Sequence, residues 1–311
     1  MTQPLVSVVV PTKDRPEMLI RAVQSVLDQT YDPIELHVVD DGSTTPAREA
    51  IAGLPTEELA GFECHRHETN RGGNAARKTG VEAATGEYVA FLDDDDEWLS
   101  EKTERQVSTL QETASAGVAY TQNRQLTSPS QTRSVHRPGP GGDIAERILF
   151  GNYIGGYSVV LVEADLFDRV GVPDEQFPAW QDWELHIRLA QETEYVSIAD
   201  PLVDRHVGHA DRISPGYGTK REIAPLMFET RLEKPAREHD VETEVRAALK
   251  SRLARAAQLE ERYTAARSHF ASAVRLDPRN RSYYIYLLAL SGGRFTFVPA
   301  RKLKHLISRH T

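Results

Sequence analysis

The chain has 311 residues, 40% of them hydrophobic, a single cysteine and a net charge of −9. That length holds one large α/β domain and a smaller appendage, and the lone Cys64 excludes an intrachain disulfide or a cysteine metal cage. The charge is uneven: from Arg279 onward there are seven Lys and Arg and no Asp or Glu, so the remainder carries −16, an acidic body that argues against a nucleic-acid partner. No apolar run approaches the ~20 residues that span a bilayer. The opening MTQPLVSVVVPTK lacks the basic flank and the long apolar run of a signal peptide. A cytoplasmic location is expected, with the basic C-terminal end as a candidate peripheral contact to an anionic membrane surface.

Residues 5–10 (LVSVVV) form a short β-branched run typical of a buried strand, which Pro11 ends. Pro16 then opens a helix with Leu19, Ala22, Val23, Val26 and Leu27 on one face. A second strand is expected over 34–40, a helix over 47–52 and a third strand near 62–67. A turn at 70–73 leads to a small-residue helix over 74–84, stopped by Gly86. The fourth strand is 87–93. This β-α-β-α-β-α-β order predicts a parallel sheet with right-handed crossovers.

Ligands of open parallel sheets bind at the carboxyl ends of the strands. The polar clusters lie there: Thr12-Lys13-Asp14-Arg15, Asp40-Asp41-Gly42-Ser43, Asn70-Arg71-Gly72 and Asp93 to Asp96. No GxGxxG follows the first strand, which argues against a dinucleotide site. Further on, the pattern gives a helix over 101–112, a strand over 117–121, a mobile Ser/Pro/Gly-rich loop over 128–142 and a helix over 144–150. A strand over 157–163, a helix over 182–191 and short strands at 195–198 and 202–207 follow. Beyond Gly218 the pattern is helical, so the expected domains are 1–218 and 219–311. Residues 247–278 match one tetratricopeptide-type hairpin through Leu253, Ala254, Tyr263, Ala266, Phe270, Ala273 and Pro278, and a single repeat of that kind must cover its face against something else.

Four adjacent carboxylates, Asp93 to Asp96, repel one another if desolvated together. An isolated acidic run is ordinarily a solvated turn. At the end of a buried strand, facing three other polar loops, this one reads as a site for a hard divalent cation, Mg²⁺ or Mn²⁺, shared with substrate phosphates.

The segments VSVVVPTKDRPEMLIRAVQSVLDQTY, HVVDDGSTT, NRGGNAARKTGVEAATGEYVAFLDDDDEW and QDWELHIRLA resemble, in order and spacing, the family 2 glycosyltransferases, over about residues 5 to 215. The resemblance implies a GT-A fold: a Rossmann-like, mainly parallel sheet flanked by helices, here with an all-helical C-terminal extension. It implies a nucleoside-diphosphate sugar donor, UDP-linked foremost, a divalent metal and inversion at the anomeric carbon. Carried over by position, Pro11, Thr12, Asp14, Arg15 and Asp41 surround the nucleotide, and Asp41 holds the base. Asn70, Gly72, Asn74 and Arg77 line the donor pocket, although capping and surface charge also account for Asn74 and Arg77. Asp93 and Asp95 match the DxD motif, Asp93 at the ribose and Asp95 on the metal. Asp94 is counted with the donor-binding loop, and it and Asp96 are read as lying behind the site or exposed.

The resemblance makes Asp182 the general base that deprotonates the acceptor hydroxyl, while an aspartate opening a helix also serves as a cap. The family usually has Glu-Asp where this chain has Gln181-Asp182. Of Trp180 and Trp183, one is expected to stack on substrate and one to fill the core. Arg188 is expected to meet either the diphosphate or an acid. Of His206 and His209, His209 fits better the histidine that the family often places near the metal. The implied acceptor is a glycan or a lipid-linked saccharide. The alternatives are a sugar-phosphate nucleotidyltransferase, which normally carries a glycine-rich basic signature that PTKDRPEML lacks, and a non-catalytic nucleotide-sugar-binding or scaffold protein working through its helical end.

Overall fold

The computed structural model describes residues 3–128, 131–135, 139–206 and 215–291. β1 (Val6–Thr12) and β2 (Ile34–Asp40) are buried along their whole length; β1 is the near-continuous apolar strand expected where both faces of a sheet are covered, and β2 buries Glu35 and His37 on one of its faces. α1 (Pro16–Leu27) turns Leu19, Ala22, Val23 and Val26 inward, and the short α2 (Ala47–Ala50) follows β2. β3 (Gly61–Arg66) is only half-buried, being the edge strand. α3 (Gly73–Ala83) packs on β1 so closely that a Cβ on Gly80 would stand 2.3 Å from Val9 Cγ1. This contact explains the small-residue character of the helix.

β4 (Tyr88–Phe91), β5 (Asp96–Trp98), α4 (Lys102–Glu112), β6 (Ala116–Ser128) and β7 (Gln131–Val135) come next. They are followed by α5 (Ala145–Ile148), β8 (Val160–Glu163), α6 (Leu166–Val170), α7 (Gln181–Ala190) and β9 (Glu194–His206). Among the described residues these strands form one sheet in the order β3-β2-β1-β4-β8-β6-β9-β5, with β7 paired to β6. The first four strands are parallel, β8 runs antiparallel to β4, and β5 runs antiparallel to β9. This is the GT-A-like α/β architecture expected from the motif order.

Several elements differ from the pattern reading: β1 runs on through Pro11 to Thr12 rather than ending there, and β5 and α6 had no pattern of their own. β9 is one strand rather than two: Pro201 breaks the apolar pattern, but its pairing with Gln122 falls where the β6–β9 register slips, and a bulge there absorbs it. β6 is longer than 117–121, and β7 lies within the segment expected to be a loop. The QTRSV hairpin partner is polar and carries no apolar alternation to betray it.

The chain divides into two compact units, residues 1–148 with 152–213, and 149–151 with 214–311. The second is helical: α8 (Tyr217–Met227), α9 (Glu233–Glu238), α10 (Glu242–Leu259), α11 (Tyr263–Leu276) and α12 (Arg281–Ala289). α10 and α11 form the hairpin, with Leu253, Ala254, Ala266, Phe270 and Ala273 buried, and the Phe270 ring stacks 5.1 Å from that of Tyr286 on α12. Among the described residues no helix is long and apolar enough to cross a membrane.

Candidate active site

The parallel register sets Thr12 beside Asp40 and Asp40 beside Arg66, so the loops leaving β1, β2 and β3 open on one edge. Asp40 is buried and accepts the Ser43 and Ala47 N–H groups at 2.7 and 3.0 Å. Burial alone would raise its carboxyl, but these donors hold it below its ordinary value. Asp41 is buried too. Its Oδ1 accepts the Arg71 N–H (2.8 Å) and faces His67 Nδ1 (2.8 Å), and its Oδ2 accepts the Gly72 N–H (2.8 Å). Asp41 therefore fixes the turn carrying Asn70 and Gly72. Gly42 sits at φ +73° against that turn, where a Cβ would lie 2.8 Å from the Thr69 carbonyl carbon.

Asp14, at φ +53°, crosses from the β1 loop to the β2 loop: its N–H donates to Ser43 Oγ (2.9 Å) and its Oδ1 accepts the Thr44 N–H (2.7 Å). Lys13 and that N–H hold its carboxyl at about 2. Thr12, Asp14, Arg15, Ser43 and Thr44 line part of a cleft of about 180 Å³ between α1 and the β2 loop. A larger hollow of about 740 Å³ opens at the other end of β4, among Val81, Tyr88, Glu163 and Phe167, and contains none of the clustered aspartates.

The four aspartates after β4 divide. Asp94 is buried and faces the β1 loop, accepting from Thr12 Oγ1 (2.8 Å) and Arg15 Nη1 (3.0 Å). Burial pushes its carboxyl up to about 6 against the pull of those two donors. Asp93, Asp95 and Asp96 place carboxylate oxygens within 4.8 Å of one another. Asp96 is buried rather than exposed. Its Oδ2 accepts from Ser158 Oγ (2.7 Å) and lies 3.6 Å from Arg205 Nε, its partner across the β5–β9 pairing. Burial raises its carboxyl well above the carboxylate range, with Arg205 opposing. Asp96 Oδ1 is buried without a hydrogen-bond partner. Three converging carboxylates with one orphaned acceptor fit a hard cation.

Arg77 joins this cluster to α7. It is buried, pairs with Asp93 through Nη2, donates from Nη1 to Gln181 Oε1 (3.1 Å), and lies 4.0 Å above the Tyr157 ring. The Tyr157 hydroxyl in turn lies within hydrogen-bond distance of two acceptors, Asn74 Oδ1 (3.1 Å) and the Gln181 carbonyl (3.0 Å), which share its one proton. Asn74 also donates to the Asp174 carbonyl (2.8 Å). Asn74 and Arg77 thus belong to one buried network rather than to a solvated helix face.

Asp182 follows directly. Trp180, at φ +59°, caps α7 in a left-handed conformation that a bulky residue rarely adopts, and Asp182 Oδ1 accepts the Trp183 N–H at 2.8 Å. Burial raises the Asp182 carboxyl, the Trp183 N–H lowers it, Asp93 raises it further, and Arg205 and Arg77 oppose; the net direction is up. Trp183 is core, its Nε1 donating to the Ile148 carbonyl (2.7 Å), while Trp180 is half-exposed. Arg188 pairs with Glu184 (2.7 Å) and donates to the carbonyls of Val170, Gly171 and Val172. His206 Nε2 lies 2.7 Å from Glu97 Oε1 and outside the aspartate cluster; His209 is outside the described residues.

The model of the glycosyl transferase family 2 domain matches residues 7–166, from β1 through the aspartate loop to α6. The chain belongs to glycosyl transferase family 2. Among curated relatives, the amylovoran biosynthesis glycosyltransferase AmsB of Erwinia amylovora is 30% identical over 212 residues, covering 65% of this chain and 69% of its own. Among solved structures, the 1–349 fragment of S. aureus TarS in complex with UDP-GlcNAc shares the fold at a TM-score of 0.63 and 19% identity, covering 88% of this chain and 83% of the fragment. The chain spans 55% of the longer TarS chain. The mannosyltransferase PcManGT of Pyrobaculum calidifontis, in complex with GDP-Man and Mn²⁺, aligns at a TM-score of 0.59 and 15% identity, covering 94% of this chain and 85% of that one.

Within this glycosyltransferase, pattern reading counted Asp96 in the acidic run but took it to lie behind the site or exposed, and passed over Arg205, Ser158 and Tyr157 altogether. Asp96 opens β5, which only its pairing with β9 defines. The other three arrive from β9 and the segment before β8, and only the sheet order brings them near.

Proposed function

We propose that the chain is a metal-dependent, inverting glycosyltransferase that moves a sugar from a nucleoside-diphosphate sugar, UDP-linked foremost, to a hydroxyl of a glycan or lipid-linked saccharide. The observation that carries this reading is Arg77, which spans Asp93 and Gln181 and so sets the raised carboxyl of Asp182 beside the aspartate cluster. The solved complexes with UDP-GlcNAc and with GDP-Man and Mn²⁺ support the donor class. Contact with a membrane surface through the basic C-terminal end belongs to the same proposal.

The cleft beside Thr12, Asp14 and Arg15 is smaller than the roughly 300 Å³ of a whole-ligand site, which suits it to the base and ribose, with Asn70 and Gly72 completing the wall. Asp93, Asp95 and Asp96 would hold the divalent cation, and His209 joins them in the proposal through the resemblance alone. A divalent cation held by these carboxylates would supply charge neutralisation for the diphosphate leaving group. Asp182 takes the acceptor proton as the hydroxyl attacks. Its raised affinity for a proton makes it a better base than a free aspartate, and Arg205 and Arg77 favour its ionised form. Asp41 and Asp94 work one step back, holding the 70–72 turn and the β1 loop in register.

The test is release of nucleoside diphosphate from UDP-, GDP- and dTDP-linked sugars without added acceptor. One nucleotide is expected to be preferred, release is expected to need Mn²⁺ or Mg²⁺, and the freed sugar should first appear by NMR with inverted anomeric configuration. Release that is independent of metal, or retention of configuration, contradicts the proposal.

A further inference from the structure

Away from the strand-end aspartates, β2 and the edge strand β3 turn Glu35, His37, Glu63 and His65 to one face of the sheet, since the register sets His37 beside Glu63 and Val39 beside His65. His37 Nδ1 stands 3.3 Å from His65 Nε2, and His65 Nε2 stands 3.4 Å from Glu63 Oε2. One donor atom from each of the three residues lies within 4.8 Å of the others. Two ligands about 2.0–2.1 Å from a tetrahedral zinc ion are separated by about 3.3–3.4 Å, which matches the His37–His65 and His65–Glu63 separations. Burial and the neighbouring His37 push His65 below the ordinary histidine value, with Glu63 opposing.

The surroundings of His37 complete the pattern. The side chain is buried, and its Nε2 has no well-formed hydrogen bond but lies 3.3 Å from Glu35 Oε1. Glu35 is itself held in place by donors from Ser7 Oγ (2.5 Å), Thr85 N (2.6 Å) and Thr85 Oγ1 (2.7 Å). A carboxylate behind the far nitrogen of a histidine favours the tautomer that leaves the other nitrogen for a metal.

We propose that His37, His65 and Glu63 form a zinc site distinct from the aspartate cluster, with water in the fourth position and Glu35 orienting His37. Two imidazoles and one carboxylate suit zinc rather than magnesium or calcium. The ion would brace β2 to the half-buried edge strand that leads into His67 and the 70–72 turn, and so would stiffen the wall that Asp41 holds. The site does not depend on the glycosyltransferase reading.

Zn²⁺ alone, titrated into the full chain against a chromophoric chelator, tests the proposal in the wild type, Asp95→Ala, His65→Gln and Glu63→Gln. His65 and Glu63 are 23% and 65% exposed in their side chains, so neither replacement opens the core, and circular dichroism checks the fold. One zinc per chain is expected in the wild type and in Asp95→Ala, with affinity reduced about 100-fold in His65→Gln and about 10-fold in Glu63→Gln. Absence of a zinc site in the wild type, its loss in Asp95→Ala, or its retention at full affinity in His65→Gln overturns the proposal.

Discussion

Asp182→Asn is expected to lower kcat by about 10²–10⁴-fold, the range of a positioned general base, with donor affinity little changed. The replacement is nearly isosteric, and its amide oxygen still accepts the Trp183 N–H that Asp182 takes at 2.8 Å. The start of α7 is therefore preserved, and only the proton acceptor is lost. The wild-type pH profile carries the same information. Burial and Asp93 favour the protonated carboxyl, and the base works ionised, so activity should rise with pH through a midpoint above the ordinary aspartate value of about 3.9. Gln181 contributes by what it is not: a glutamate beside Asp182 would add a like charge and push that midpoint higher, whereas the amide instead accepts from Arg77. An Asp182→Asn enzyme that keeps most of its kcat, or a wild-type acid limb at the ordinary aspartate value, removes Asp182 from the role.

Arg77→Met is expected to cost stability and activity together. Removing one partner of a buried ion pair costs about 3–5 kcal/mol, mostly because the other charge is left behind. The Arg77 side chain is 9% exposed but that of Asp93 is 26% exposed, so solvent screens part of the loss and about 2–3 kcal/mol is the expected destabilisation in urea titration. The cation–π contact with Tyr157 and the bond to Gln181 go as well. A slip of about 1 Å between Asp182 and the aspartate loop lowers kcat by about 100-fold. Arg77→Lys should fall between, because one ammonium cannot reproduce the fork that meets Asp93 and Gln181 at once. An Arg77→Met protein as stable and active as the wild type would mean that the network does not couple the two halves of the site.

The parallel half of the sheet was legible because its signals are local: short β-branched runs followed by polar loops, and the helical stripe from Leu19 to Val26. The strand-end loops could be named for the same reason. What lies between those loops could not. Asp94 and Asp96 stand two residues apart in one acidic run, yet one is held by Thr12 and Arg15 and the other by Ser158 with Arg205 nearby. The direction each takes is set by β5 pairing with β9, more than a hundred residues away in the chain. For Asn74 and Arg77 the sequence left cap and surface charge open beside a place in the donor pocket, because Tyr157 and Gln181, which contact them, are distant in sequence. The bulge at Pro201 and the polar strand β7 stayed hidden because pairing with β6, rather than any periodicity of their own, defines them.

The most direct test of the central claim is calorimetric titration of UDP, GDP and dTDP, each with and without Mn²⁺, into the wild type and Asp95→Ala. The predicted result is tight binding of one nucleotide that needs Mn²⁺ and is lost in Asp95→Ala. Absence of binding by any of the three under every condition, or binding indifferent to both the ion and Asp95, would contradict a metal-dependent donor site at the ends of β1, β2 and β4.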